Sequence, residues 1–441
     1  MKQIALTNTN ESADMHKQYR KLLLLITALL LPTLVTAADN ASDAALIGAN
    51  VQELLQWADT HNPALSAMRY EVDAANARIL PAGALPDPIL RTELRDFAGP
   101  GAPNGFNPLP GKGSGTKYTL MQSFPLWGKR DLRKEVASAE LAQVQGRRQA
   151  AVAEVHALIK SAYAQYYLTF GLKKLNDDIL NLLSDLDAVT QVRYSSGLAP
   201  QQDVIRAQIE KTTLRSENIT LDTEQHHAMT RLNTALARQQ HTMLAAPEKL
   251  RRVAPEKLDG AILHDKLLRN NPILATQSAQ ISVAEANKRL IEKNRYPDVT
   301  LGIAPIQRGG SIDSWEAMVE FNIPIRMDTR RAQESEAGAM LDAAKERQQA
   351  ASNQADGELQ EYLAAYESAE KQVQLIDNTL LPQAELTFQS ALTGYETGKV
   401  DFATLLDAQR AIKRAKADKL KAQTEQELRI ADIEKMVGEE L

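Results

Sequence analysis

Four short stretches of this chain alternate apolar and polar residues with a period of two, the pattern of strands whose two faces meet different surroundings. In the first, Leu90, Thr92 and Leu94 oppose Arg91, Glu93 and Arg95. In the second, Tyr118, Leu120 and Phe124 oppose Lys117, Thr119 and Ser123, with Gln122 an exception on the apolar side. The third sets Val299, Leu301 and Ile303 against Asp298, Thr300 and Gly302. The fourth is the cleanest: Trp315, Ala317, Val319, Phe321 and Ile323 against Glu316, Met318, Glu320 and Asn322. The pattern predicts strands near 88–97, 116–124, 297–305 and 314–323. Each has about 9–10 residues, the length of a tilted membrane-spanning strand. A Gly/Pro-rich loop from Asp96 to Gly115 joins the first pair, and a shorter loop with Gly309 and Gly310 joins the second.

Between the strand pairs the period changes. Leu168, Leu172, Leu175, Ile179, Leu182, Leu186 and Val189 step by four and three, which is a coiled-coil seam. Long helices are predicted near 129–195, 201–240, 328–395 and 401–436. At 1.5 Å per residue, Asp131 to Tyr194 alone makes a rod of about 96 Å. A helix that long cannot wrap a globular core and must build a bundle or a tube. Pro382 falls inside the third long helix and predicts a bend or break there.

The same signals recur at a long interval. His61-Asn62-Pro63-Ala64-Leu65 returns as Asn270-Asn271-Pro272-Ile273-Leu274, and Leu85-Pro86-Asp87 returns as Tyr296-Pro297-Asp298. Phe124-Pro125-Leu126 returns as Ile323-Pro324-Ile325, and Tyr194-x-x-Gly197 with Ala207-Gln208 returns as Tyr395-x-x-Gly398 with Ala408-Gln409. The chain therefore divides into a first structural repeat over 38–240, a linker over 241–260 and a second repeat over 261–441. In the linker Ala-Pro-Glu-Lys-Leu occurs twice. Each repeat contributes a helix, two strands and two very long helices.

Composition narrows the classes. Aromatics are only 5% and alanine is abundant, which suits long helices packed through thin seams. The balance of 51 basic against 56 acidic side chains offers no basic face for nucleic acid. With no cysteine there is no disulfide, thiol nucleophile, thiolate metal site or lipid-bearing N-terminal cysteine. Residues 1–37 have the pattern of an export signal. Lys17, Arg20 and Lys21 precede the apolar run Leu22 to Leu31, and Val35-Thr36-Ala37 supplies small residues before a cut near Ala38. Met15 as the start would give the conventional spacing. No later segment approaches 18 apolar residues, so any membrane contact of the mature chain is by strands.

Four strands cannot close a barrel, and open edges are not tolerated in lipid. The barrel must then be shared among chains; twelve or more strands leave a passage, and spacing alone does not choose between twelve and sixteen. The opposing view is a pair of hairpins packed on helices in a soluble protein. Against it stand the charges on the polar faces (Arg91, Glu93, Arg95, Glu316 and Glu320), which suit a water-filled lumen, and the aromatics Tyr118, Trp127 and Trp315 near strand ends.

The tip segments Tyr194-Ser-Ser-Gly197-Leu-Ala-Pro-Gln-Gln-Asp203 and Tyr395-Glu-Thr-Gly398-Lys-Val-Asp-Phe-Ala-Thr-Leu-Leu-Asp407-Ala-Gln409 resemble those of the TolC-type outer-membrane efflux proteins. The approach Gln122-Ser-Phe-Pro-Leu-Trp-Gly-Lys-Arg130 and the entry Leu85-Pro-Asp-Pro88 resemble the CzcC-like heavy-metal branch. The resemblance implies a mostly α homotrimer with a twelve-stranded transmembrane β-barrel, four strands per chain, and a long α-helical periplasmic tunnel. It implies a Gram-negative outer-membrane location and a tip that docks on a periplasmic adaptor (membrane fusion) protein, linked to an inner-membrane efflux pump of the RND type. Tyr194, Gly197, Asp203, Tyr395, Gly398 and Asp407 are then tip and gate residues. Asp203 and Tyr395 stand where a gate-holding pair sits, and Asp407 where an acidic ring narrows the mouth. Val400 departs from the family's gate arginine.

No catalytic residues or cofactor are expected: no Gly-x-Ser-x-Gly, His-Glu-x-x-His or phosphate loop is present. The seven histidines lack ligand spacing, and His226 and His227 point apart on a helix, so no metal site is assigned. The favoured function is a passive exit duct for heavy-metal cations. A duct for drugs or other small molecules is the alternative, and a periplasmic adaptor, which needs a lipoyl-like β domain, ranks below it.

Overall fold

A computed structural model describes residues 46–95, 115–240 and 242–441. The export-signal segment, most of the loop after the first strand and His241 lie outside the described residues. Helices α1 (Val51–His61) and α2 (Pro63–Gly83) lead into strands β1 (Ile89–Arg95) and β2 (Gly115–Phe124). Helices α3 (Lys129–Ser195) and α4 (Gln201–Ala235) follow. An extended linker with one 3₁₀ turn (Pro255–Leu258) then crosses to α5 (Gly260–Asn270) and α6 (Pro272–Lys293). Strands β3 (Val299–Arg308) and β4 (Ser311–Phe321) precede α7 (Met327–Leu375), a π-helical turn (Ile376–Leu380), α8 (Leu381–Glu396) and α9 (Phe402–Val437). No described helix is long and apolar enough to cross a membrane.

Local chemistry starts the short helices. Asn50, Asn62, Asp259 and Asn271 each accept backbone N–H bonds in the first turn of the helix they precede. Pro63 and Pro272 stand at the first helical position, where a missing N–H costs nothing. Asn62 and Asn271 also donate from their amide nitrogens to the carbonyls of Ala235 (3.2 Å) and Met436 (2.8 Å), tying these starts to the ends of α4 and α9.

The α3 helix runs unbroken for 67 residues and packs against α2, α4, α6 and α9. Its buried row near the tip is Leu175, Ile179, Leu183 and Leu186; Leu182 is only partly covered and Val189 is exposed. A straight helix drifts against a strict seven-residue repeat, and α3 must serve several neighbours rather than one seam. The row joins Ala207 and Leu214 of α4 with Phe388, Tyr395, Phe402 and Leu405 in one core. Two smaller cores anchor α1 to α3 and α4, and α5 to α7 and α9. The irregularity signalled by Pro382 is the π turn just before it, where the Leu381 N–H reaches back to the Ile376 carbonyl.

The strands form one antiparallel sheet in the order β1-β2-β3-β4. The register sets Leu90 opposite Leu120, Leu120 opposite Ile303 and Ile303 opposite Ala317. Leu301 pairs with Val319, and Val299 with both Phe124 and Phe321. All the alternating apolar positions therefore share one face. A register shift at Ile306/Gln307 interrupts the last pair near its loop.

Candidate pore mouth and membrane-facing sheet

The sheet is inverted relative to a soluble one. On its apolar face Leu90, Leu120, Leu301 (46% exposed), Ile303, Trp315, Val319 (58%) and Phe321 stand open, while on the other face Thr119, Met121, Ala304 and Ile306 are buried. The Lys117 ammonium crosses that second face to the Glu316 carboxylate at 2.6 Å. Glu93 lies directly opposite Lys117 in the register, and Arg95 acts on the charge of Glu316. Arg91 pairs with Thr119, and Glu320 with Thr300. The five charged positions of the sequence thus share one face of the sheet. Gly302 sits between Met121 and Met318 there, and a side-chain carbon at 302 would stand 3.1 Å from Met318.

The sheet is fixed to the helices through the repeated Pro-Asp segments. Lys129 donates to Asp298 Oδ1 and to the Tyr296 carbonyl, both at 2.8 Å. Trp127, held at φ 63° beside Gly128, donates its indole N–H to the Pro297 carbonyl and stacks on Tyr296. Gln122 reaches the Pro86 carbonyl at 2.7 Å, which explains a polar residue on the apolar side.

At the opposite end the two hairpin turns are built alike. Gly197 and Gly398 both adopt φ 71°, which only glycine takes cheaply. Each turn closes with a 2.7 Å bond, Leu198 N–H to the Arg193 carbonyl and Lys399 N–H to the Gly394 carbonyl. Val400 packs over Gly394 so closely that no side chain fits at 394.

Asp203 and Tyr395 come together inside this tip, 7% and 3% exposed, with Arg193 as the third member. The Arg193 guanidinium lies 5.0 Å from the Tyr395 ring centroid and donates to the Glu396 carbonyl at 2.8 Å. Phe402 closes the other side of the ring. The Tyr395 hydroxyl has Asp203 and Arg193 as charged neighbours yet makes no close hydrogen bond. Burial raises both the Tyr395 hydroxyl and the Asp203 carboxyl above their ordinary pKa values; for Asp203, the charge of Asp401 adds to this while Arg206 opposes it. Asp203 lies in the first turn of α4 without capping it. In the second tip Asp401 is the cap, accepting from the Thr404 backbone N–H at 2.9 Å and its hydroxyl at 2.6 Å.

Tyr194 stands outside this cluster, exposed at the end of α3, and Asp407 lies further along α9, 73% exposed and in contact with Arg410 at 3.3 Å. Arg193, Arg410 and Glu210 were not singled out from sequence; Arg193 adjoins a motif tyrosine, but its partners come from the other hairpin. His226 and His227 are exposed and adjacent, and no group of three or more His, Asp or Glu with metal-holding geometry occurs among the described residues.

A buried ion cluster sits where the linker crosses the helices. Arg251 donates to Glu427 Oε1 (2.8 Å) and to both oxygens of Glu434 (2.9 and 3.0 Å), and Lys160 donates to Glu434 at 2.8 Å. Burial raises the Glu427 carboxyl, whose second oxygen has no partner. Burial acts on Glu434 too, but its bonds to Arg251 outweigh it and hold that carboxyl low. Removing one partner of such a cluster costs about 3–5 kcal/mol.

Comparison with known proteins matches this architecture. Residues 263–439 match the model of the outer membrane efflux protein family. The chain is 25% identical over 397 residues to the cobalt-zinc-cadmium resistance protein CzcC of Cupriavidus metallidurans, covering 83% of this chain and 84% of that one. Its fold is that of the Vibrio cholerae outer membrane protein VceC (TM-score 0.72, 16% identity, 88% of this chain and 96% of that one). It is equally that of the open-state outer membrane channel MtrE of Neisseria gonorrhoeae (TM-score 0.71, 17% identity, 89% of each). With a sheet that turns its apolar face outward and helices far too long for a globule, the chain has the fold of these outer membrane channels, and its second half, residues 263–439, is similar to the outer membrane efflux protein family.

Proposed function

We propose that three copies of this chain close twelve strands into one barrel, continued by a tunnel of helices, and that the assembly is the exit duct of a tripartite pump for heavy-metal cations. The observation that carries this is the sheet itself. Its order leaves β1 and β4 unpaired at the edges while its apolar face is exposed. Lipid suits the face but not the edges, so β1 of one copy pairs with β4 of the next, a head-to-tail contact that closes as a ring. Arg91, Glu93, Arg95, Glu316 and Glu320 then line water. The division into two structural repeats joined by the linker gives each chain two hairpins and two tips, with Tyr194, Gly197, Asp203, Tyr395, Gly398 and Asp407 at the periplasmic end, where an adaptor and through it an inner-membrane pump would dock. Low-resolution imaging of the detergent-solubilised protein should give a threefold particle with a long tunnel; a monodisperse water-soluble monomer would remove the proposal.

The cargo rests on the relative from Cupriavidus, whose name is a metal-resistance name, and on the acidic positions facing water. Deleting the gene should lower tolerance to divalent metal ions. Unchanged metal tolerance with raised sensitivity to antibiotics or dyes would favour a duct for drugs instead.

A further inference from the structure

Where α4 and α9 leave the two tips, one guanidinium is shared between two carboxylates of very different exposure. Arg410 of α9 grips Glu210 of α4 with two bonds, Nε to Oε1 at 3.1 Å and Nη2 to Oε2 at 2.5 Å. Its remaining nitrogen, Nη1, reaches Asp407 Oδ1 at 3.3 Å, one turn back on α9. The Glu210 side chain is 10% exposed and that of Asp407 is 73% exposed. A bidentate pair with a nearly buried carboxylate is the stronger and more rigid of the two contacts. One turn further along α9, Lys413 pairs with Glu217 across the same two helices.

The three groups together carry one net negative charge, and the accessible part of it is on Asp407. We propose that Arg410 sets how strongly Asp407 attracts cations at the tunnel mouth: clamped by Glu210, it is a fixed counter-charge that lets the mouth favour cations without retaining them. The inference rests on the reading of Asp407 as mouth-facing. A conducting site must bind well enough to admit an ion and weakly enough to release it. A lone exposed carboxylate repeated around a narrow mouth would hold a divalent ion too long; a cation already leaning on each carboxylate shortens that stay. Glu210 keeps Arg410 from collapsing fully onto Asp407, which would cancel the attraction.

The series of single changes has opposite signs. Arg410→Gln leaves two negative charges per chain at this place, Glu210→Gln leaves none and releases Arg410 to Asp407, and Asp407→Asn leaves none by removing the acceptor. Each full-length variant is reconstituted in planar bilayers, with cation-over-anion selectivity in KCl and block by Mg²⁺ as the readouts. Arg410→Gln should raise selectivity and strengthen block several-fold; Glu210→Gln should lower both. A merely structural clamp would instead loosen in both variants, and the two would shift the same way. That same-sign result, or no shift in either variant while Asp407→Asn still lowers selectivity, would overturn the role given to Arg410. No effect of Asp407→Asn would overturn the mouth-facing reading on which it rests. Should Arg410→Gln fail to insert, Arg410→Met, which likewise removes the charge, takes its place with the same expected rise in selectivity and the same overturning results.

Discussion

At the scale of single residues, Asp203 shows how a tip can be held under tension. Its carboxyl is buried between two hairpins, and its pKa in the folded tip lies above the ordinary aspartate value. Across the window between those two values the folded tip holds a proton that the unfolded chain has lost. Tip stability therefore falls as pH rises through the window, and the cost is fully present once the pH exceeds the folded value. Asp203→Asn should slow hydrogen exchange of the tip amides relative to the parent at about pH 7, with the gain fading below the ordinary carboxylate range; faster exchange at neutral pH would show that the charge stabilises the tip instead. Asn271 offers a plainer case. It caps α6 with its oxygen and donates to the Met436 carbonyl with its nitrogen, so Asn271→Ala should cost about 1–2 kcal/mol in denaturant unfolding. Tyr395 could be picked out in the chain because it sits in a recurring tip motif, and Asp203 because its tip segment resembles that of the TolC-type proteins. Arg193 and Arg410 could not: their partners, Tyr395 and Glu210, lie about 200 residues away in sequence, and only the stacking of the hairpins brings them into contact.

Elements follow from period more directly than contacts do. The strands were visible because apolar and polar residues alternate along most of each one, Gln122 being the marked exception, and the unbroken run of α3 because no proline interrupts it. The buried row of α3 was harder to place, since a helix touching several neighbours does not keep one seam: Leu183 is buried where the heptad steps point to Leu182. The π turn at Ile376–Leu380 left only Pro382 as a sign, because a one-residue widening of a helix has no periodic signature. The two faces of β4 give the sharpest test at this scale. Val319→Lys should destabilise the protein in bilayers by about 2–4 kcal/mol, whereas Glu320→Lys, one residue on and on the opposite face, should cost far less. Equal effects in denaturant unfolding from liposomes would mean that neither face meets lipid.

For the whole molecule, everything depends on the apolar face of the sheet meeting acyl chains while its charged face meets water. The chain contains no cysteine, so a single introduced thiol reports from one place only. Spin labels at Leu301→Cys and Val319→Cys, with Met318→Cys as the opposite-face control, would be read in proteoliposomes by their collision with oxygen and with a water-soluble relaxation agent. The expected result is strong oxygen contact and protection from the aqueous agent at 301 and 319, with the reverse at 318. Aqueous or tightly packed surroundings at 301 and 319 would contradict the account.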